Sequence, residues 1–128
     1  MIIPIIQEAC INHGVNIIKC DIDEDAYGIY DSEINQIQID NNVPMEMEDQ
    51  IIAHEFIHAI DPACEAYHSS DDEHVIRCEL RAELGAKLLC GEAYIDDGYI
   101  DCLNNNPLEL LDIIDEVDAL LRRNGINL

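Results

Sequence analysis

Apolar and polar residues follow two different spacings along this chain. In four stretches the apolar residues recur at the three- and four-residue spacing of a helix with one buried face. Between the first and second of these stretches lie three shorter runs whose composition or alternation is typical of strands. The predicted helices cover residues 2–13, 44–61, 71–90 and 108–123, and the predicted strands cover residues 15–20, 27–30 and 34–40.

Residues that start or stop helices flank each helical stretch. Proline suits the first turn of a helix but not its interior, and glycine commonly follows the last turn. The start signals are Asn42, Pro44 and a capping box from Ser70 to Glu73, and the stop signals are Gly14, Pro62 and Asn124-Gly125.

These elements predict an α+β fold in a single domain spanning residues 1–128. A chain of 128 residues is large enough to bury one core. We expect a short antiparallel sheet packed on the second and third helices, with further helices at the two ends of the chain. In the run 34–40, Ile37 and Ile39 alternate with polar residues, which is typical of a strand with one face in water.

Composition and charge exclude several classes of function. The chain has 28 acidic and 6 basic residues, a formal net charge of −22, which would repel phosphate, so we expect no nucleic-acid partner. No apolar run approaches the roughly 20 residues that span a bilayer, and no basic segment of a signal peptide opens the chain. We therefore expect a cytoplasmic protein without a membrane span. The acidity serves solubility and would also attract a basic peptide or protein.

The segment 54–58 reads His-Glu-Phe-Ile-His and lies in the second predicted helix. Residues four apart share a helix face, so His54 and His58 can reach one ion. Glu55 lies beside them, where it can hold a water molecule as a general base. Apolar residues surround this polar trio, and burying it would be costly unless a metal paired the groups. A core histidine within an amphipathic helix is the simpler alternative.

A catalytic zinc site usually has three protein ligands, so a third ligand should come from another segment. Glu79 and Glu83 lie four apart on the next predicted helix, close enough in sequence for that helix to return beside the first. We predict Glu79 as the third ligand. We predict that Glu83 supports a ligating imidazole by accepting its far N–H, and that Asp61 is a second supporting carboxylate. The alternative is that these carboxylates belong to a solvated helix face, as Arg77, Arg81 and Lys87 nearby would suggest.

The segments 54–61 and 78–82 resemble a family of mitochondrial intermembrane-space metalloproteases that process an ATP synthase subunit and assist its assembly. That family carries a similar His-Glu-x-x-His-Ala-aromatic-Asp segment and, at nearly this distance, Cys-x-Glu-Ile-Arg-Ala. The resemblance covers about residues 51–90. It implies that His54, His58 and Glu79 bind zinc and that Glu55 is the catalytic base.

A second resemblance is to phage-type immunity metallopeptidases of the ImmA/IrrE kind. It is carried by the Gly-hydrophobic-Tyr-Asp segment 28–31, by the Ile-x-Ile strand at 37–39 and by the histidine helix. Both families imply a minimal gluzincin core within a small zincin-like domain. In zincins an edge strand beside the histidine helix pairs with extended substrate, and the strand 34–40 is our candidate for that edge.

The sequence therefore predicts a zinc peptidase in which Zn²⁺ acidifies a bound water and Glu55 takes its proton during attack on a peptide carbonyl. The alternative is a non-catalytic acidic binding module with a structural or vestigial zinc site. The sequence does not decide which residue would donate a hydrogen bond to the oxyanion of the tetrahedral intermediate. The candidates are His68, His74, Arg77, Tyr94 and Tyr99.

The six cysteines form no C-x-x-C pair, which argues against a zinc knuckle or a thioredoxin-type motif. Without a secretory signal the expected state is reduced thiols. Disulfides stay open as an alternative because the count is even. The cysteines lie at positions 10, 20, 64, 78, 90 and 102.

Overall fold

The computed structural model of this protein describes residues 4–22, 26–62, 72–90 and 107–127, the side chains of 72–75 and 107–110 excepted. This part of the chain contains four helices and a three-stranded sheet, which confirms the α+β class. In chain order the elements are α1 (Pro4–Asn12), β1 (Asn16–Cys20), β2 (Gly28–Asp31), β3 (Gln36–Asp40), α2 (Met45–Ile60), α3 (Asp72–Cys90) and α4 (Pro107–Arg123).

The sheet is mixed, with strand order β1-β3-β2. β2 and β3 are antiparallel, with Ile29 opposite Gln38, as we expected of the whole sheet. β1, however, runs parallel to β3, with Ile17 opposite Ile37. The expectation of a purely antiparallel sheet is wrong for this pair because β3 lies between the two other strands and separates β1 from β2.

The prediction that residues 34–40 form an edge strand is also wrong. β3 is the central strand and is hydrogen-bonded on both sides. Its side chains Ile37 and Ile39 are 0% and 1% exposed, so the strand with the strongest apolar alternation lies over the middle of the core. The two edges of the described sheet belong to β1 and β2.

Helix ends follow the local sequence closely. Gly14 has a φ of 66°, the left-handed conformation that ends α1. Pro44 is the N-cap residue of α2 and makes no side-chain cap, and the candidate cap Asn42 lies two residues before it. Glu46 and Glu48 in the first turn complement the positive end of the helix dipole. Asp61 is the C-cap, directly before Pro62.

The core lies where α2 is covered by the sheet on one side and by α3 on another. Gly85 makes the closest approach of the two helices possible, because a Cβ atom there would lie 2.6 Å from both Cγ1 and Cδ1 of Ile57. α4 packs on α3 and adds its own apolar stripe to the core. The stripe consists of Ile113, Val117, Leu120 and Leu121.

Four of the six cysteines lie in the described part of the chain. Cys10, Cys20, Cys78 and Cys90 carry free thiols, whereas positions 64 and 102 lie outside the described residues. Burial raises the pKa of the Cys10 thiol to about 11. None of the described helices combines the length and the apolarity that crossing a bilayer requires.

Candidate metal centre

His54 and His58 lie one turn apart on the face of α2 that meets α3. Their Nε2 atoms are 3.1 Å apart, and their ring planes are inclined by 73°. Both side chains are largely buried, since the flanking positions Ala53 and Ile57 belong to the core. The four-residue spacing of the sequence thus brings the two imidazoles together, as predicted.

Glu79 closes a triangle of donor atoms with these histidines from the opposite helix. Its Oε2 lies 3.0 Å from Nε2 of His54, and its Oε1 lies 3.1 Å from Nε2 of His58. Zinc–ligand bonds of about 2.0–2.1 Å in tetrahedral geometry place neighbouring donors about 3.3 Å apart. The observed separations are close to this value, and two imidazoles with one carboxylate are a donor set of catalytic zinc. The three residues therefore fit a zinc ion.

Glu83 lies one turn further along α3, on the same face as Glu79. Its Oε1 is 2.5 Å from Nδ1 of His54, the ring nitrogen that faces away from the donor triangle. A carboxylate in this position fixes the ring orientation and keeps Nε2 turned toward the other donors. This is the contact that the sequence predicted for Glu83.

The electrostatics of the cluster favour a positive charge at its centre. Burial alone would lower the pKa of His54, but hydrogen bonds to Glu79 and Glu83 outweigh it and raise the pKa to about 10. Burial would raise the pKa of Glu79, yet the contacts with both histidines hold it well below its usual range. A proton or a metal cation can supply this charge, and the two compete for the same ring nitrogens.

Glu55 is partly buried beside the histidines and in contact with the sheet. Burial raises the pKa of its carboxyl group, while the neighbouring His58 and His54 counteract part of this rise. A backbone N–H of Tyr30, on β2, donates to the same carboxylate. A carboxyl group whose pKa is moved toward neutrality is suited to accept and return a proton.

Gly28 allows β2 to lie this close to Glu55. A Cβ at Gly28 would approach Cγ2 of Ile51 to 2.6 Å and Cγ of Glu55 to 3.5 Å. The apolar pattern of the sequence did not indicate that Gly28 lies beside Glu55. An isolated glycine inside a strand pattern was the available signal, since it often marks a close approach of backbone to another group.

Asp61 belongs to a buried ion pair at the end of α2. Its Oδ2 accepts a hydrogen bond from Nε of Arg81 at 2.7 Å, and the two residues are 6% and 7% exposed. The guanidinium also lies 3.4 Å from Oε2 of Glu116, on α4. This contact ties α2 to α3 next to the donor triangle, whereas direct support of an imidazole by Asp61 stays a prediction.

The oxyanion donor also stays a prediction. Nη2 of Arg77 donates to Oε1 of Glu116 at 2.8 Å, which directs this guanidinium toward α4. The other candidates fall on positions 68, 74, 94 and 99, whose side chains lie outside the described residues.

No family model matches the chain, and no curated protein or solved structure matches it either. Function must therefore be inferred from the residues and from the geometry that the fold gives them.

Proposed function

We propose that this protein is a zinc-dependent peptidase of the gluzincin type. The observation that carries the proposal is the convergence of His54, His58 and Glu79 from two helices, with donor separations of 3.0–3.1 Å. Two further features support it: Glu83 contacts the far ring nitrogen of His54, and Glu55 lies partly buried beside the triangle. The likeness of segments 54–61 and 78–82 to known metallopeptidase families agrees with this chemistry.

A zinc ion held by these three residues would supply Lewis acidity, which acidifies water and polarises a peptide carbonyl. Glu55 would accept a proton from the attacking water as the new C–O bond forms. It would then deliver this proton to the amide nitrogen as the C–N bond breaks, so that a carboxylic acid and an amine leave the site. Glu83 would keep the His54 ring in one tautomer throughout.

The edge that β2 forms in the described sheet, rather than residues 34–40, is the place we now propose for an extended peptide. The backbone N–H of Asp40 donates to the carbonyl oxygen of Tyr27. Hydrogen-bonded positions alternate along an antiparallel pair, so the backbone N–H and C=O groups of Ile29 also point toward β3. The backbone groups of Gly28 and Tyr30 therefore point outward, toward α2. The Tyr30 N–H bonds to Glu55, so a peptide added at this edge would pair with the other outward backbone groups of Gly28 and Tyr30 and would lie next to the base.

The test combines metal analysis with cleavage of a proteome-derived peptide library. We expect zinc in the purified protein, cleavage that a chelator abolishes, and loss of cleavage in a Glu55→Gln variant that still binds zinc. Glu46→Gln, an exposed position of the same helix, is the matched control and should cleave like the wild type. Zinc-loaded protein that cleaves nothing would favour the non-catalytic binding module instead.

A further inference from the structure

A cavity of about 160 Å³ opens directly beside the metal centre, between α2, α3 and β2. His54, Glu55 and Glu83 form one part of its wall. The remaining wall is mainly apolar and comes from Tyr27, Gly28, Met47, Ile51 and Ala86, with Gln50 as its uncharged polar member. A group bound in this cavity would therefore adjoin His54, one of the three proposed metal ligands, and Glu55, the proposed base.

The volume suits one side chain and not a whole small-molecule ligand. Pockets for drug-sized ligands usually measure about 300–1,000 Å³. An apolar cavity of about 150 Å³, by contrast, accommodates a benzene molecule. A cavity of about 160 Å³ thus fits a branched aliphatic side chain or a single aromatic ring.

The chemistry of the wall favours an uncharged occupant. The carboxylate of Glu83 is already paired with Nδ1 of His54, and that of Glu55 accepts from the Tyr30 amide. A lysine or arginine side chain would lose much of its hydration against the apolar part of the wall, which offsets its attraction to these two carboxylates. An aliphatic or aromatic side chain would instead contact Met47, Ile51 and Ala86.

Gly28 connects this cavity to the open edge of β2. Successive side chains of an extended peptide point to opposite sides, so a peptide paired with β2 can direct one side chain into the cavity. A Cβ at Gly28 would lie 2.6 Å from Cγ2 of Ile51, in the space between the strand and the helix. The absence of a side chain at this position lets β2 lie directly against Ile51 at the wall of the cavity.

We propose that this cavity is the specificity pocket of the enzyme and binds an apolar side chain of leucine to phenylalanine size, next to the scissile bond. The inference rests on the peptidase proposed above and adds the class of substrate. The strongly acidic surface attracts basic peptides, whereas the pocket selects the one apolar residue at which they are cut.

The experiment uses short peptides with a common lysine-, serine- and glycine-containing background and one varied residue: leucine, phenylalanine, alanine, lysine or glutamate. Cleavage next to the varied residue is measured as kcat/KM. We expect leucine and phenylalanine to exceed alanine and lysine by about ten- to a hundredfold. Equal rates for all five peptides, or a preference for lysine, would overturn the pocket while leaving the peptidase intact.

Two variants change the cavity in opposite directions. Ala86→Leu fills it and should shift the preference from leucine to alanine, whereas Met47→Ala enlarges it and should favour phenylalanine over leucine. Met45→Ala is the matched control, because Met45 lies in the same helix but is 69% exposed and does not line the cavity. Unchanged preferences in both cavity variants would contradict the inference, provided that circular dichroism shows them folded.

Binding to the Glu55→Gln variant separates failure of the pocket from failure of catalysis. Fluorescence anisotropy of the labelled leucine and lysine peptides needs no turnover. Tighter binding of the leucine peptide, lost in a Glu55→Gln/Ala86→Leu variant, would support the pocket even if no cleavage were found. Equal binding of both peptides would refute it, whatever the outcome of the cleavage assay.

Discussion

Replacing Gly85 by alanine tests the close packing of α2 against α3 on which the proposed metal centre depends. The added methyl group would lie 2.6 Å from Cγ1 and Cδ1 of Ile57, a fully buried side chain. Only movement of the isoleucine or separation of the helices can relieve such a contact. Separation would draw Glu79 and Glu83 away from His54.

Two effects of opposite sign decide the outcome. Alanine is favoured over glycine in a helix by about 1 kcal/mol. Overpacking of a core costs about 1–3 kcal/mol, and here the clash involves two atoms of a side chain enclosed on all sides. We therefore expect Gly85→Ala to destabilise the protein by up to about 2 kcal/mol and to weaken zinc binding.

An Ile57→Ala background should reverse the sign of this effect. Truncating Ile57 alone leaves a cavity and costs about 2–5 kcal/mol. It also removes both clashing atoms, so the methyl group at position 85 then fills space and retains its helix preference. In that background Gly85→Ala should stabilise the protein by about 1 kcal/mol.

Urea denaturation of the four metal-free proteins, in the presence of a chelator, measures this double-mutant cycle. A coupling free energy of about 1–3 kcal/mol between positions 57 and 85 is expected. If Gly85→Ala stabilised the wild-type protein by the full helix preference, the two helices would not be packed as closely as described. Close packing of the two helices would then not be what positions Glu79 and Glu83 beside His54.

Three further predictions follow from the site and its surroundings. Glu83→Gln should lower zinc affinity by about 10- to 100-fold in a chelator competition, because the His54 ring loses its carboxylate. Arg81→Met should cost about 3–5 kcal/mol in urea denaturation because the buried Asp61 carboxylate loses its ion pair with Arg81, whereas Arg122→Met, in an exposed pair, should change stability by less than about 1 kcal/mol. In metal-free protein the stability contributed by His54 should be fully present below its ordinary pKa of 6.5 and be lost as the pH rises to about 10, since its pKa is raised in the folded state.

Each of these predictions has a result that contradicts it. Unchanged zinc affinity in Glu83→Gln would mean that the 2.5 Å contact does not orient the ligand. Equal effects of Arg81→Met and Arg122→Met on stability would mean that the buried pair of Arg81 and Asp61 contributes no more than an exposed pair. Urea denaturation of a metal-free His54→Gln variant at several pH values should lack the loss of stability between pH 6.5 and about 10, and its persistence would assign it to another group.

The sequence predicted the donor triangle because helical periodicity is a local property. Residues four apart on α2 share a face whatever surrounds them, and the same holds for Glu79 and Glu83 on α3. The histidines and the carboxylates could come together only if α3 packed beside α2. The short stretch of sequence between the two helices favoured this packing. The contact of Glu83 with His54 followed from the same geometry.

The sheet order could not be read in this way. Alternation of apolar and polar residues assigns the faces of a strand but not its hydrogen-bonded neighbours, so residues 34–40 fitted an edge as well as the centre. Which strand lies between the others depends on contacts between distant segments. β3 lies at the centre, with Ile37 and Ile39 against the core, and β2 is left at the edge beside Glu55.

The sequence predicted neither the cavity nor the buried ion pair between Arg81 and Asp61, for related reasons. Gly28 lets β2 lie close to Ile51, and the small side chain of Ala86 lines the cavity, and both effects depend on which residues other elements place nearby. The sequence was compatible with Arg81 lying on a solvated helix face together with Lys87. In the structure Lys87 is exposed, whereas Arg81 is buried and contacts Asp61. The sequence of a helix does not by itself show whether one of its charged residues forms an ion pair with a residue on another helix.

The most direct test of the account is a comparison of wild-type protein and Glu55→Gln in zinc content and peptide cleavage, measured on the same preparations. We expect about one zinc ion per chain in both proteins. We expect cleavage by the wild type to stop when a chelator is added and to fall by at least about 10²-fold in the variant. Purified wild-type protein without zinc, or a variant that cleaves as fast as the wild type, would contradict the assignment of this site as a peptidase centre.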